Sequence, residues 1–486
     1  MYGECDDARL VVDSIGIGAC DRYGIENEDR LFENSAMPQL TFKFSSLLAL
    51  VWLAMGSAAT FGRPPNIILI LSDDQGWNNT EIAMMPDRDD SKSDYYLTPN
   101  LRRLGEEGMI FSQAYSPHPV CSPSRHSIQF GITPAKLKKT TNQGANYPEP
   151  FEVRSIPQVL KSAHPEYKAA HFGKWHMHRH PAELGYDASD GRTGNRTGRQ
   201  LSTDQTKFWP HEDPKRAISI TDQSVQFIRH QAETGAPFFL QVSHYAIHLS
   251  AEATPESLEK HKARTPGKVH TAYWYAAMIE DLDTAVGRII DAVEENGLSN
   301  RTYIFYTSDN GGTARQYPGF NKPLRAGKGS YYEGGIRVPF LARGPGVQPG
   351  SYASTPIVGY DLLSTFADLA GALKGVTSQL EGGSFKGILL NDGDGSVARP
   401  RPGIRFYKQI DSVLIQGDYK LKRTHRTGEL ELFDLGKDLS ENVNLAESRP
   451  EIAKAMLAEL EDWIDEVDAT TPSPHSPRGR RANQSN

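Results

Sequence analysis

Residues 66–72 (NIILILS) form a continuous apolar run that stops abruptly at Asp73-Asp74-Gln75-Gly76. A run without polar alternation fits a strand buried on both faces, the pattern of a parallel sheet. Weaker apolar runs follow at 167–172, at 237–243 (PFFLQVS) and at 302–307 (TYIFYT). Each leads into a polar cluster: Gly173-Lys174-Trp175-His176, the segment His244 to His248, and Ser308-Asp309-Asn310-Gly311-Gly312. Residues 273–296 carry Met278, Ile279, Leu282, Val286, Ile290 and Val293 near helical spacing, with Gly297 as a stop. Strands alternating with helices predict an α/β domain with a mostly parallel central sheet flanked by helices. Ligands in such sheets bind beyond the carboxyl ends of the strands, where all four polar clusters fall.

The texture changes past Gly371. Residues 372–402 are rich in Gly, Pro and Ser and read as a linker or long loop. Short runs around 413–415, 419–421 and 430–433 then predict a small antiparallel sheet. A closing helix over 449–467 places Ile452, Met456, Leu460, Trp463 and Ile464 on one face. The expected division is a main domain over 61–375, a C-terminal subdomain over 376–468 and a disordered tail over 469–486. No internal repeat is visible.

The beginning of the chain changes the picture of where the protein acts. From Met37, a segment with an early Lys43 runs into SSLLALVWLAM and then into Gly56, Ser57, Ala58 and Ala59. A short apolar core with a small-residue exit reads as a signal peptide over 37–60, too short for a comfortable membrane span. Residues 1–36 are polar and unpatterned and read as a leader from an over-called start. The expected location is secreted or periplasmic, with no stable membrane anchor. Three cysteines occur in the 486 residues, at positions 5, 20 and 121. Removal of the leader leaves Cys121 alone, and a lone thiol in an exported protein asks for a chemical reason. The net charge of −7 offers no general attraction to nucleic acid or to an anionic membrane, so an anionic substrate needs local positive groups.

Two adjacent carboxylates, Asp73 and Asp74, repel each other unless a cation joins them. Asp309 and Asn310 add two hard oxygen ligands after another strand. Oxygen donors favour Ca²⁺ or Mg²⁺ over zinc. Either pair alone reads as a turn or cap; both together at two strand ends read as a metal site. In Cys121-Ser122-Pro123-Ser124-Arg125, Pro123 suits the first turn of a helix, which puts the cysteine at a helix N-terminus, an end suited to anions. Arg125 then lies one helical turn above Cys121.

Cys121-Ser122-Pro123-Ser124-Arg125 resembles the Cys-x-Pro-Ser-Arg signature of the type I sulfatases, within the alkaline phosphatase superfamily. The resemblance runs from about Asn66 to Leu445. It includes Asp73-Asp74, the Gly173-Lys174-Trp175-His176 segment and Thr307-Ser308-Asp309-Asn310-Gly311-Gly312. It extends through Gly327-Lys328-Gly329 and Tyr332 to Pro339 (YEGGIRVP), and through Glu431 to Leu435 with Glu441, Asn444 and Leu445. It implies a sulfuric ester hydrolase in which a maturation enzyme converts Cys121 to formylglycine. It implies Asp73, Asp74, Asp309, Asn310 and the modified Cys121 as ligands of a divalent metal, Ca²⁺ ahead of Mg²⁺. It implies Arg125 as the group steadying the formylglycine, Lys174 and His176 as sulfate-pocket residues, His248 beside the leaving oxygen, and Lys328 as its cationic neighbour.

The chemistry agrees with these roles. A hydrated aldehyde has two hydroxyls on one carbon: one attacks sulfur, and loss of the other's proton expels sulfate and restores the aldehyde. Positive charge from the metal, Lys174, Lys328 and Arg125 opposes the charge spreading over the sulfuryl oxygens. His176 is expected to take the proton from the hydrate; His248 or Lys328 protonates the leaving alcohol.

Ala246-Ile247-His248-Leu249-Ser250 departs from the family's usual Ala-x-His-Pro pattern, which leaves His244 as a competitor for the role of His248. His178 and His180 either line the pocket or are solvated. The Gly- and polar-rich stretch 185–195 reads as a surface loop, and Tyr273-Trp274-Tyr275 as core at a helix start. The expected substrate is a sulfated carbohydrate or an aryl sulfate. Two alternatives stand beside this: a phosphatase or phosphodiesterase of the same superfamily, and an inactive, carbohydrate-binding homologue.

Overall fold

The computed structural model describes residues 63–142, 153–198, 208–313, 320–376 and 378–468. The signal and leader segments and the C-terminal tail expected from the sequence lie outside the described residues.

An eight-stranded sheet organises the chain. Its strands, in chain order, are β1 (Asn66–Ser72), β2 (Met109–Phe111), β3 (Lys168–Gly173), β4 (Ala188–Ser189), β5 (Phe238–Ser243), β6 (Thr302–Ser308), β7 (Phe340–Arg343) and β8 (Ser351–Ala353). Their spatial order is β8-β2-β7-β6-β1-β5-β3-β4, and β7 runs antiparallel to both its neighbours while the other pairings are parallel. The apolar run 66–72 is central, flanked by β6 and β5 in parallel register. Burial of both faces explains its lack of alternation. Ile67, Leu69 and Leu71 join one core, Ile68 and Ile70 the other, and all five are fully buried. Each such side chain contributes about 1.5–3 kcal/mol on leaving water.

Helices cover both faces. Helix α1 (Pro99–Glu106), α3 (Ala217–Thr234) and α4 (Tyr273–Glu295) supply Leu101, Leu104, Ile220, Ile228, Val286 and Ile290 to one core. Helix α2 (Cys121–Phe130) and α5 (Leu362–Leu369) supply Ile128, Phe130, Leu363 and Phe366 to the other. Of the aromatic start of α4, expected as core, Tyr275 is buried and packs with Phe320 and Tyr96, while Tyr273 and Trp274 are partly buried against the same cluster.

The stretch 372–402, expected as a linker, does more than connect. Phe385, Ile388 and Leu389 are fully buried in the same core as Phe366. Gly and Pro set its turns, and three apolar side chains anchor it. Beyond it lies an antiparallel sheet of β9 (Ile404–Lys408), β10 (Asp411–Gln416), β11 (Tyr419–Thr424) and β12 (Leu430–Asp434). Leu414, Leu421 and Leu432 pack on Met456, Leu460 and Trp463 of helix α6 (Pro450–Glu466). The opposite face, with Ile404, Phe406 and Val413, packs on Tyr115, Tyr331 and Ile336. The small sheet therefore braces the segment following Lys328. Lys408 Nζ donates to Gly329 O at 2.7 Å. Buried Lys420 bridges Glu333 (2.9 Å) and Glu441 (2.8 Å).

Candidate active site

The acidic pairs meet because β1 and β6 are neighbours in register, Ser72 opposite Ser308. The next residues must then lie side by side. Asp309 N donates to Ser72 O at 3.1 Å, and Asp74 N donates to Asp309 Oδ1 at 3.2 Å. Asp74 takes a left-handed backbone (φ 64°), as does His176 (φ 54°). For residues other than glycine this costs about 1–3 kcal/mol and is typical of functional sites.

Cys121 is the first residue of α2, as the position of Pro123 predicts. Its Sγ lies 3.5 Å from Asp73 Oδ1 and 3.8 Å from Asp74 Oδ1. The three carboxylates share one design. Each points Oδ2 at a cation: Asp73 to Lys174 Nζ (2.5 Å), Asp74 to Lys328 Nζ (2.6 Å) and Asp309 to Arg125 Nε (2.8 Å). The Oδ1 atoms of Asp73 and Asp74 turn instead toward the sulfur. Asp73, Asp74, Cys121 and Asp309 each offer a ligand atom, all within 4.8 Å of one another. Asn310 Nδ2 donates to Asp74 Oδ1 at 2.8 Å, and its buried Oδ1 has no hydrogen-bond partner. Three buried carboxylates with oxygens converging on one point, beside an unsatisfied amide oxygen, fit a hard divalent cation.

Electrostatics sort these groups. Burial alone would raise the Asp74 carboxyl, but Lys328, His248 and Lys174 hold it well below the usual range. Asp309 goes the other way: burial and the charge of Asp73 push it up against the pull of Arg125. Burial and the charge of Asp309 raise the Cys121 thiol, so the unmodified sulfur stays protonated. A protonated thiol is a weak nucleophile. Burial, then Lys174 and Arg125, push His176 down to about 2. Burial lowers His248 to about 3 against the opposing charge of Asp74.

His248, and not its competitor, faces the site. Its Nε2 is 3.7 Å from Asp74 Oδ2, and its Nδ1 lies 2.6 Å from Leu249 O. His244 is fully buried and neither ring nitrogen makes a hydrogen bond. Lys328 is fixed by its neighbours in the chain: its N donates to Gly312 O (2.9 Å), and Gly329 N donates to Pro119 O (2.8 Å). The last residues before α2, the loop after β6 and the small sheet thus clamp one backbone segment.

The stretch 185–195, expected as a surface loop, is tied to the site. Gly173 N donates to Asp190 Oδ2 (2.9 Å) and Trp175 N to Thr193 Oγ1 (2.8 Å). His176 N donates to Thr193 O at 2.8 Å. These bonds join two strand-end loops of neighbouring strands, and only the pairing of β3 with β4 reveals them. Of the nearby histidines, His178 lines a cavity beside Ser122, while His180 accepts from Ala182 N at the start of a short helix.

Comparison with known proteins decides the family. The family model described as Sulfatase matches residues 65–372. The chain belongs to the sulfatase family. It is a type I sulfatase, a sulfuric ester hydrolase. The dog N-acetylgalactosamine-6-sulfatase is 30% identical over 440 residues, covering 82% of this sulfatase and 79% of that protein. Human arylsulfatase A is 27% identical over 484 residues, covering 83% and 88%. Among solved structures, Ps i-CgsB superposes with a TM-score of 0.71 at 25% identity, covering 87% of this sulfatase and 97% of that chain. Among the described residues, no helix is long and apolar enough to cross a membrane.

Proposed function

We propose that this sulfatase hydrolyses sulfate esters of a carbohydrate after export, with Cys121 matured to formylglycine and with Ca²⁺ held by Asp73, Asp74, Asp309 and Asn310. The observation that carries this is the shared orientation of the carboxylates, Oδ2 to Lys174, Lys328 and Arg125 and the Oδ1 of Asp73 and Asp74 toward the Cys121 sulfur. That sulfur stands where the aldehyde carbon's oxygens would be. Ca²⁺ ranks ahead of Mg²⁺ because the donors are protein oxygens in a pre-built cage, whereas Mg²⁺ keeps several waters. The cation supplies Lewis-acid stabilisation of the sulfuryl oxygens; formylglycine supplies a nucleophilic hydroxyl and a second one for release.

The chain's own side chains do the rest. Lys174 and Lys328, held as ammonium groups by Asp73 and Asp74, meet the charge that grows on the sulfuryl oxygens. Lys174 is fully buried and Lys328 partly so, which makes each cation stronger than at the surface. Arg125 spans Asp309 and the carbonyl of Lys174, and so holds the metal-ligand strand end against the sulfate-pocket loop. His176, kept neutral by burial and by Lys174, carries no second ring proton, but the same influences make it a weak base, so it takes the proton of the nucleophilic hydroxyl only as negative charge grows on the bound substrate. His248 Nε2 and Lys328 Nζ serve the leaving oxygen.

The carbohydrate substrate class draws on relatives: one is named for N-acetylgalactosamine 6-sulfate chemistry, and Ps i-CgsB was also solved with k-i-k-neocarrahexaose. Export draws on the signal-like segment 37–60. A formylglycine-generating enzyme is then a required partner.

The test is mass spectrometry of the Cys121 peptide after co-expression with such an enzyme, paired with turnover of an aryl sulfate and an aryl phosphate. Conversion and sulfate turnover that rise together support the reading. Full activity with the thiol unconverted, or preference for phosphate, overturns it.

A further inference from the structure

The segment that brings Lys328 to the site starts at Phe320, and its first carbonyls are gripped from the loop after β1. Phe320 O accepts from Asn79 Nδ2 at 3.0 Å and meets His270 Nε2 at 3.1 Å. Lys322 O accepts from Asn78 Nδ2. Between these anchors stands Asn321, with 1% of its surface exposed. Its Nδ2 donates to Gly312 O at 2.9 Å and to Ala326 O at 3.0 Å. Two carbonyl partners leave the amide one orientation, because only its NH₂ end can donate to both. Gly312 O also accepts from Lys328 N at 2.9 Å. One carbonyl in the loop that carries Asp309 and Asn310 therefore holds both Asn321 and Lys328.

Sterics fix the other end of the amide. A Cβ at Gly76 would stand 2.5 Å from Asn321 Oδ1, and one at Gly312 would stand 2.6 Å from it. Glycine at both positions is what lets the amide lie between the loop after β1 and the loop after β6. The Asp73-Asp74 loop, the Asp309-Asn310 loop and the turn before Lys328 thus meet on one side chain. An asparagine that only capped a turn would bond within its own loop.

Resting on the proposed role of Lys328, we infer that Asn321 is a positioning residue: it acts through Lys328, setting where that ammonium stands between Asp74 and the leaving oxygen. A cation misplaced by about 1 Å forfeits up to about a hundredfold in rate. The affinity of the ground state changes far less, because the charge on the leaving oxygen develops only in the transition state.

The experiment is a double-mutant cycle on the matured, full-length enzyme: the parent, Asn321→Ala, Lys328→Met and the two combined, with kcat and KM measured on an alkyl sulfate and on a nitrophenyl sulfate. Asn321→Asp is the second variant; it keeps the shape packed against Gly76 and Gly312 but has no N–H to give the two carbonyls. Each Asn321 variant should lower kcat on the alkyl sulfate about tenfold or more, with a smaller loss on the nitrophenyl sulfate and little change in KM. The combined variant should be no slower than Lys328→Met alone by more than about twofold, the scatter of independent sites. A purely structural role would lower the melting temperature without this dependence on leaving group and on Lys328. Losses that multiply in the combined variant, or a parental kcat in both Asn321 variants, overturn the inference. Losses that do not multiply but are equal on the two substrates overturn the role of Lys328 at the leaving oxygen and leave Asn321 as its positioning residue.

Discussion

Arg125 and Asp309 are joined across the site, with Nε and Nη2 of the arginine each 2.8 Å from Asp309 Oδ2 and both side chains closed to solvent. One partner sits in the second turn of a helix, the other at the tip of a central strand. In chelator-treated protein, removing the arginine leaves this buried carboxylate without the cation it is paired with. Arg125→Met should therefore destabilise the protein by about 3–5 kcal/mol. Denaturant unfolding checks this, and a change below about 1 kcal/mol would show the pair to be energetically incidental.

A cation joining the Oδ1 atoms should stabilise the fold by mass action. At a hundredfold excess over Kd the gain is about 2.7 kcal/mol. In chelator-treated protein, Ca²⁺ should raise the melting temperature, and Mg²⁺ should do so less at equal concentration. Asp74→Asn and Asp309→Asn should each blunt the rise. The same rise in both variants would place the ion elsewhere.

The readability of this chain follows from where each signal resides. Asn66–Ser72 is readable residue for residue because a strand buried on both faces needs no partner to explain its composition. Cys121 at a helix start is readable because Pro123 acts locally. The antiparallel insertion of β7 between β2 and β6, and the strand β9, are not readable, because strand order is a long-range pairing with no mark in the local pattern. The tie of Asp190 and Thr193 to the Gly173–His176 segment escapes for the same reason. Lys420, which bridges Glu333 and Glu441, looks like an ordinary alternating strand lysine until the sheet is seen packed on the site.

His248 and Lys328 both approach Asp74, and their division of labour is measurable. If they serve the leaving oxygen, the loss on substitution grows with the leaving group's need for a proton. His248→Gln should reduce kcat on an alkyl or sugar sulfate about a hundredfold or more. On a nitrophenyl sulfate, whose leaving group needs little help, the loss should be much smaller. Equal losses on both substrates would assign His248 to sulfate binding instead.

Asp283 offers a pH test away from the metal. From α4 it caps the start of α1: Oδ2 accepts from Asn100 N (3.0 Å) and Oδ1 from Leu101 N (2.8 Å). Burial outweighs these bonds and pushes its carboxyl up from 3.8 to about 7. The unfolded chain then releases this proton near pH 4 and the folded one near pH 7. Between those limits the folded state binds more protons, so stability from this group is complete below about pH 4 and is lost as the pH rises toward 7. The slope is at most about 1.4 kcal/mol per pH unit. Asp283→Asn cannot ionise, so its unfolding free energy should lack this slope. It also gives up one acceptor for a backbone N–H, which costs about 1–3 kcal/mol. The variant should therefore be less stable than the parent at pH 5, with the gap narrowing by pH 7. A gap that stays constant from pH 5 to 7 would mean that Asp283 is already ionised in the folded protein and that the cap overcomes its burial.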